Sequence, residues 1–284
     1  MGRCFLYEEE SMINIETKGS PFSHDTSSCG VGNQPKNHVW KNKEDSESSV
    51  VVFMDYDHRG GFSYKGNKKK VLWLNESRGF SREQSLDLYN NIDDFIDVYD
   101  LILTHNRELV GIDDRFVYAP NSSNISWVEE PRIYKKTRRT SMLCSGKAQC
   151  SGHLVRNRWA NELRDCLDLF GRFLRPVDKV EEALCPYMFS VSIENESYST
   201  YFTEKLMNCF ATGTVPVYLG SPDIGDYFNT DGIIVLESVG QVCGLTEDDY
   251  HSRRDAIDDN LERCMNHPMA DDVVFDILEK TGVL

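Results

Sequence analysis

The stretch from residue 187 to residue 222, YMFSVSIENESYSTYFTEKLMNCFATGTVPVYLGSP, constrains the fold more than any other. Tyr187–Ile193 and Val215–Leu219 are apolar-rich and each too short for a stable helix, so they read as strands. Between them, over residues 201–212, Phe202, Leu206, Cys209 and Phe210 recur at helical spacing and form one apolar stripe. Tyr201, Glu204, Lys205 and Asn208 fall on the opposite face. A strand, a helix and a second strand joined this closely belong to a sheet with parallel strands. Such sheets take ligands beyond the carboxyl ends of their strands, where the polar loop 194–200 lies. Lys205 adds a full charge near a helix N-terminus already suited to a diphosphate. An ordinary amphipathic helix with its Glu and Lys in solvent remains the alternative at this point.

The same grammar runs through the chain. Val50–Met54, residues 71–74, Leu101–Thr104, Phe116–Tyr118, residues 140–144 and residues 233–236 read as strands. Residues 81–98, 152–170, 247–265 and Ala270–Lys280 read as helices. Strands alternating with helices specify an α/β class, and 284 residues suit two domains better than one. The expectation is a GT-B arrangement, two Rossmann-like domains facing a central cleft, divided as 1–140 and 141–284. Residues 17–49, rich in Ser, Gly, Asn, Lys and Asp, read as a loop-rich lead-in.

A formal net charge of -15 argues against binding to nucleic acid, whose backbone it would repel. One basic run, Lys135 to Arg139, is either a local phosphate patch or a solvated segment. The nine cysteines include no C-x-x-C pair, which fits free thiols in a reducing compartment. Cys144 and Cys150 without clustered histidines make a poor metal site. No apolar run reaches the roughly 18 residues needed to cross a bilayer, and no signal-peptide pattern opens the chain, so a soluble, cytoplasmic protein is expected. The sequons at Asn121 and Asn195 then carry little weight.

Glu194, Asn195, Tyr201, Thr203, Glu204 and Lys205, followed by the G-T-V-P-V-Y-L-G run at 213–220, resemble the signature of the α-1,3-fucosyltransferases of glycosyltransferase family 10. A second likeness lies at Cys144-Ser145-Gly146-Lys147 and at His153-Leu154-Val155-Arg156-Asn157. The resemblance implies that Asn195, Tyr201, Glu204 and Lys205, with Glu194 and Thr203 beside them, bind the sugar, ribose and diphosphate of a nucleotide-sugar donor. It implies that Arg156 pairs with the donor phosphates, a role its forked donors suit. The acceptor would be an oligosaccharide or a glycoprotein glycan, held by the amino-terminal domain.

Inverting transfer needs a base for the acceptor hydroxyl and charge stabilisation for the departing diphosphate. Two cations meet the second need, so no metal and no cofactor beyond the donor are expected. For the base, the resemblance points to a Glu beyond an amino-terminal strand, read here as Glu108, with Asp113, Asp114 and His105 as rivals. Asp55-Tyr56-Asp57 has a metal-binding D-x-D form but reads better as a strand-end loop. GDP-fucose is the favoured donor, with a UDP-sugar such as UDP-xylose, or a non-catalytic glycan-binding or sugar-nucleotide-binding role, as alternatives. The lack of an anchor and of disulfides points to a bacterial-type or virus-encoded enzyme, in the latter case acting in the host cytoplasm.

Overall fold

The computed structural model describes residues 12–19, 34–121, 126–172 and 174–284. The first sheet holds β1 (Ile13–Lys18), β2 (His38–Lys41), β3 (Val50–Met54), β4 (Lys69–Leu74), β5 (Leu101–Thr104) and β6 (Phe116–Tyr118) in the order β2-β1-β3-β4-β5-β6. The short helix α1 (Gly60–Ser63) follows β3, and α2 (Arg82–Asn90) and α3 (Ile92–Val98) follow β4. The second sheet holds β7 (Arg138–Leu143), β8 (Asp168–Phe170), β9 (Tyr187–Ile193), β10 (Val215–Leu219) and β11 (Ile234–Val235) in the order β11-β10-β9-β7-β8. Helix α4 (Ser151–Leu163) joins β7 to β8, α5 (Glu181–Leu184) precedes β9, and α6 (Glu204–Ala211) joins β9 to β10. Four helices close the described chain: α7 (Val239–Gly244), α8 (Glu247–His251), α9 (Arg254–Met265) and α10 (Ala270–Lys280).

Every strand pairing in both sheets is parallel, the outcome expected of βαβ units. Parallel sheets are buried on both faces, and the strands alternate accordingly. Val50, Val52 and Met54 face one core of the first sheet, while Val51 and Phe53 face the other. The order in which strands are added reverses between β1 and β3 in the first sheet and between β7 and β9 in the second. These two switch points open crevices beyond the strand ends. Met54 and Asp55 lie at one; Leu143 and Ile193 lie at the other.

Several expectations change against the coordinates. The helix expected over 81–98 breaks at Asn91 into α2 and α3, and the one over 247–265 breaks after His251 into α8 and α9. The helix over 152–170 ends at Leu163, because Asp168–Phe170 is captured as an edge strand on β7. Within the stretch read as loop-rich, β1 ends at Lys18 and β2 occupies His38–Lys41; residues 20–33 lie outside the described residues. Cys166 and Cys243 form a disulfide between the segment after α4 and α7, so the expectation of free thiols fails at these two positions. Cys144, Cys150, Cys185, Cys209 and Cys264 are free.

A division at 140/141 cuts within β7, and the chain's last helix leaves the second sheet altogether. Ala270, Val274, Phe275 and Leu278 of α10 pack with Ile15, Trp40, Val50 and Trp73 in a core of the first sheet. Trp40 Nε1 donates to Asp271 Oδ1 at 2.5 Å, so an indole N–H that burial would strand is satisfied. Truncating the aromatic anchor in Phe275→Ala should cost about 3–5 kcal/mol of stability, measured by urea titration of tryptophan fluorescence. A loss under about 1 kcal/mol would mean that α10 is peripheral to this core.

His38 stacks on Phe275 at 5.2 Å, fully buried, with neither ring nitrogen hydrogen-bonded among the described residues. Burial pushes its pKa down to about 4, against the pull of Asp271 and Asp272. The unfolded chain therefore takes up a proton that the folded chain refuses between about pH 6.5 and pH 4. His38's share of stability is complete above pH 6.5 and falls as pH drops, by up to about 3 kcal/mol near pH 4. In urea titrations across this range, His38→Phe should show a flatter acid limb than the wild type. An unchanged limb would assign the acid loss to other groups.

Candidate functional site

Glu194 is the first residue past β9, at the switch point of the second sheet, and its N–H extends the ladder to Leu219 O at 2.9 Å. Its carboxylate is buried and ties a loop shut. Oε1 accepts from Thr203 N at 2.9 Å, Oε2 accepts from Thr203 Oγ1 at 2.7 Å, and Lys205 Nζ lies 3.4 Å from Oε2. Thr203 is the N-cap of α6, its hydroxyl accepting from Lys205 N and, at 2.9 Å, from Lys205 Nζ. Lys205 Nζ also reaches Glu204 Oε1 at 3.1 Å. Burial opposes the lysine's charge, but Glu204 and Glu194 outweigh it and hold the pKa above the ordinary lysine value.

The second cation arrives from α4. Gly152 in its first turn lies so close to the Asn195 backbone that a Cβ would sit 2.1 Å from Asn195 O. Only glycine lets the helix approach this far. One turn later Arg156, buried, donates through Nη2 and Nε to Ile193 O at 2.7 and 3.1 Å, and through Nη2 to Asn195 Oδ1 at 3.0 Å. No carboxylate pairs with it among the described residues, although buried guanidinium groups ordinarily require one. Arg156 and Lys205 line one cavity of about 210 Å³, and Trp127, Leu143, Val180 and Leu184 add apolar lining. Asn208 frames it by accepting from Trp127 N at 2.6 Å. A buried guanidinium without a carboxylate partner and a lysine at a helix N-terminus in a partly apolar slot suit an anion that carries a flat or apolar group.

Of the residues read from the sequence, Arg156, Glu204 and Lys205 line this cavity, and Glu194, Asn195 and Thr203 bond to the two cations beside it. Tyr201 stands a layer away, buried in a stack with Tyr198 at 5.1 Å and His105 at 5.4 Å. That stack ties the loop to the first sheet. Thr200, held at a φ of 71°, donates to His105 O at 2.5 Å, and Gly79 N donates to Glu196 Oε2 at 2.6 Å. A β-branched residue in the left-handed region is strained, and here bonds from both domains hold it there. Asp223 Oδ1 supplies the other bond, accepting Thr200 N at 2.9 Å.

Glu108 lies apart. Its exposed side chain pairs with Arg78 at 2.8 Å and accepts from Tyr89 OH at 3.3 Å, and it lines neither the cation cavity nor the cleft itself. Its rivals fare no better: Asp113 is engaged with Arg115, and Asp114 is exposed. His105 is buried with a pKa pushed down to about 4 by that burial. Its Nε2 faces Glu76 O at 3.2 Å, a pure acceptor, so Nε2 carries the proton and Nδ1 accepts from Tyr198 OH at 3.3 Å. Glu76, which the sequence reading passed over, is a half-buried carboxylate of the first domain within electrostatic reach of Glu204 and Lys205, and it lines a small pocket with Arg78, Tyr89 and His105. Burial first, and the Glu204 carboxylate next, raise its pKa, against the pull of Lys205. The signal for it was present, since Glu76 lies two residues past β4, the kind of strand-end position that singled out Glu194.

The basic run at 135–139 serves structure. Lys136 Nζ donates to Thr212 O and Thr214 Oγ1, both at 2.8 Å, and to the carbonyls that end α5, while burial lowers its pKa to about 7. Arg138 pairs with Asp168 at 3.0 Å. Between the domains opens a cleft of about 860 Å³, walled by Tyr56, Arg78, Phe80 and Tyr89 on one side and by Gln149, Leu154 and Glu196 on the other. If the cation pair is an anion site, inorganic pyrophosphate should raise the melting temperature of the wild type but not of Arg156→Ala or Lys205→Ala. Equal stabilisation of all three would put the anion elsewhere.

Comparison with known proteins gives a consistent picture. Residues 135–238 match glycosyltransferase family 10 (fucosyltransferase), C-terminal part. The 4-galactosyl-N-acetylglucosaminide 3-alpha-L-fucosyltransferase 9 proteins of Mus musculus and Homo sapiens are each 23% identical over 158 residues, 53% of this chain and 42% of theirs. This chain thus spans less than half the length of those curated relatives. A putative fucosyltransferase-like protein of Arabidopsis thaliana is 45% identical over 51 residues, 18% of this chain and 10% of its own. Among solved structures, an alpha1,3-fucosyltransferase with GDP-fucose aligns at a TM-score of 0.56 and 13% identity, covering 99% of this chain and 93% of that one. A second alpha1,3-fucosyltransferase structure aligns at 0.55 and 14%, covering 99% and 92%. The chain therefore has the GT-B fold seen in an α1,3-fucosyltransferase, and its residues 135–238, which carry Arg156, Glu194 and Lys205, match the carboxyl-terminal part of glycosyltransferase family 10.

Proposed function

We propose that the protein is an inverting glycosyltransferase that moves a sugar, fucose from GDP-fucose in the favoured reading, onto a carbohydrate hydroxyl. The observation that carries it is Arg156 and Lys205 lining one slot beyond the ends of β7 and β9, with a half-buried carboxylate of the other domain, Glu76, within the field of Lys205. Glu76 accepts the acceptor's hydroxyl proton, and the freed oxygen lone pair forms the new bond to the sugar's anomeric carbon. The bond from that carbon to the diphosphate oxygen breaks, and its electron pair leaves with the nucleoside diphosphate. Arg156 and Lys205 stabilise the charge that grows on the departing oxygens. The raised pKa of Glu76 suits a base better than an ordinary exposed carboxylate. Attack from the face opposite the leaving group inverts the anomeric centre, and the cleft of about 860 Å³ is where the glycan acceptor would lie.

A bare nucleotide-sugar-binding protein would share the cation pair but has no use for a desolvated carboxylate opposite it. The test is turnover of GDP-fucose, GDP-mannose, UDP-xylose, UDP-glucose and UDP-galactose with mixed glycan acceptors, with and without EDTA. GDP-fucose is expected to be used, EDTA to leave the rate unchanged, and Glu76→Gln to lower kcat by about 10²–10⁴-fold while GDP still binds. Because the base is active when ionised, the wild-type rate should rise with pH through a pKa above the ordinary glutamate value. Turnover of a UDP-sugar alone would keep the chemistry and change the donor. Tight nucleotide binding with no transfer would favour the binding protein.

A further inference from the structure

Asp55 is the first residue past β3, at the switch point of the first sheet, and the mechanism so far gives it nothing to do. It is 1% exposed. Its Oδ1 accepts two consecutive backbone N–H groups, from Asn75 at 2.9 Å and from Glu76 at 3.0 Å. Oδ2 is buried with no hydrogen-bond partner among the described residues. Burial raises its pKa to about 7, with the Glu76 carboxylate adding to the rise and the two backbone amides opposing it. A carboxyl group this buried, spending one oxygen on two amides and leaving the other empty, is costly, and stability alone gives little reason to keep it. Nor is the D-x-D run an open metal site, since its first carboxyl group faces inward onto the backbone.

What the arrangement fixes is the turn that carries Glu76. Asp55 holds the N–H side of that residue and His105 Nε2 holds its carbonyl at 3.2 Å, so the Glu76 backbone is clamped at both ends. We propose that Asp55 is a positioning residue, whose buried carboxyl group aims Glu76 at the acceptor hydroxyl by fixing the Asn75–Glu76 turn. This rests on Glu76 being the base. It predicts an effect on the chemical step and not on donor binding, since Asp55 touches neither Arg156 nor Lys205.

The experiment is a double-mutant cycle on transfer kinetics, each variant first checked for folding by its thermal melt. Asp55→Ala should lower kcat by roughly 10–100-fold, the scale of a misplaced catalytic group, with the donor KM within about twofold of wild type. Asp55→Asn keeps an oxygen that can accept both amides and should retain kcat within about threefold. In the Glu76→Gln background Asp55→Ala should add nothing, because a group that acts only through the base has no effect once the base is gone. Should Asp55→Ala not fold, Asp55→Ser, polar but too short to reach both amides, is expected to show the same kcat loss.

Wild-type kcat in a folded Asp55→Ala or Asp55→Ser variant would overturn the proposal. So would a further loss in the double mutant equal to that in the single one, or an Asp55→Asn as impaired as Asp55→Ala. Wild-type kcat in Glu76→Gln would overturn the base itself. A large Glu76→Gln loss beside an unimpaired Asp55 variant would overturn only the positioning role.

Discussion

The buried carboxylate of Glu194 is the constraint on which the site depends. A charge taken out of water costs several kcal/mol unless it is fully paired, and here the Thr203 N–H, the Thr203 hydroxyl and Lys205 supply that pairing. Satisfying it forces the loop after β9 to return on itself before α6 starts. That return sets Thr203 at the N-cap and brings Lys205 into the first turn of α6, facing the cavity. Close approach of α4, permitted by Gly152, then puts Arg156 on the Ile193 carbonyl and the Asn195 side-chain oxygen. The two cations are thus held apart by bonds to oxygens and not by solvent, and they are in place before any anion arrives.

The same loop binds the two domains together. Glu196 takes the Gly79 N–H, the Arg78 guanidinium lies 4.2 Å from the centre of the Tyr198 ring, and Thr200 reaches the His105 carbonyl. His105 in turn contacts the Glu76 carbonyl. One connected set of contacts therefore runs from the cation site to the candidate base, and the neutral state of His105 lets it donate at one nitrogen and accept at the other. The chain's last helix, α10, crosses back to complete a core of the first sheet. The domains are thus joined by polar contacts of the site loop and by a helix that one half lends the other.

Much of this was legible in the residues. The parallel α/β class followed from short apolar runs alternating with amphipathic stretches, because strand and helix periods differ and a strand buried on both faces needs no polar alternation. The cavity-facing end of α6 followed from the stripe of Phe202, Leu206, Cys209 and Phe210, which leaves Glu204 and Lys205 on the other side. Elements that exist only by capture were not legible: β8 has three residues, and β1 carries just two isoleucines among polar neighbours. Neither can be told from helix or loop until a partner strand takes up its hydrogen bonds. The pairing of Cys166 with Cys243 lies in the same class, since its 77-residue separation says nothing about proximity.

By itself, then, the sequence determined the layer architecture, the strand-end loop and the residue types that could meet a diphosphate, because those depend on local periodicity and on side-chain chemistry. Tertiary structure alone decided which carboxylate faces them. Glu108 and Glu76 both follow strands of the first sheet, and no local rule separates them. Packing leaves Glu108 in solvent beside Arg78 and encloses Glu76 between Asp55, His105 and the opposing domain. The physical reason is that desolvation and the field of distant charges are properties of a place in space, which only the folded chain supplies.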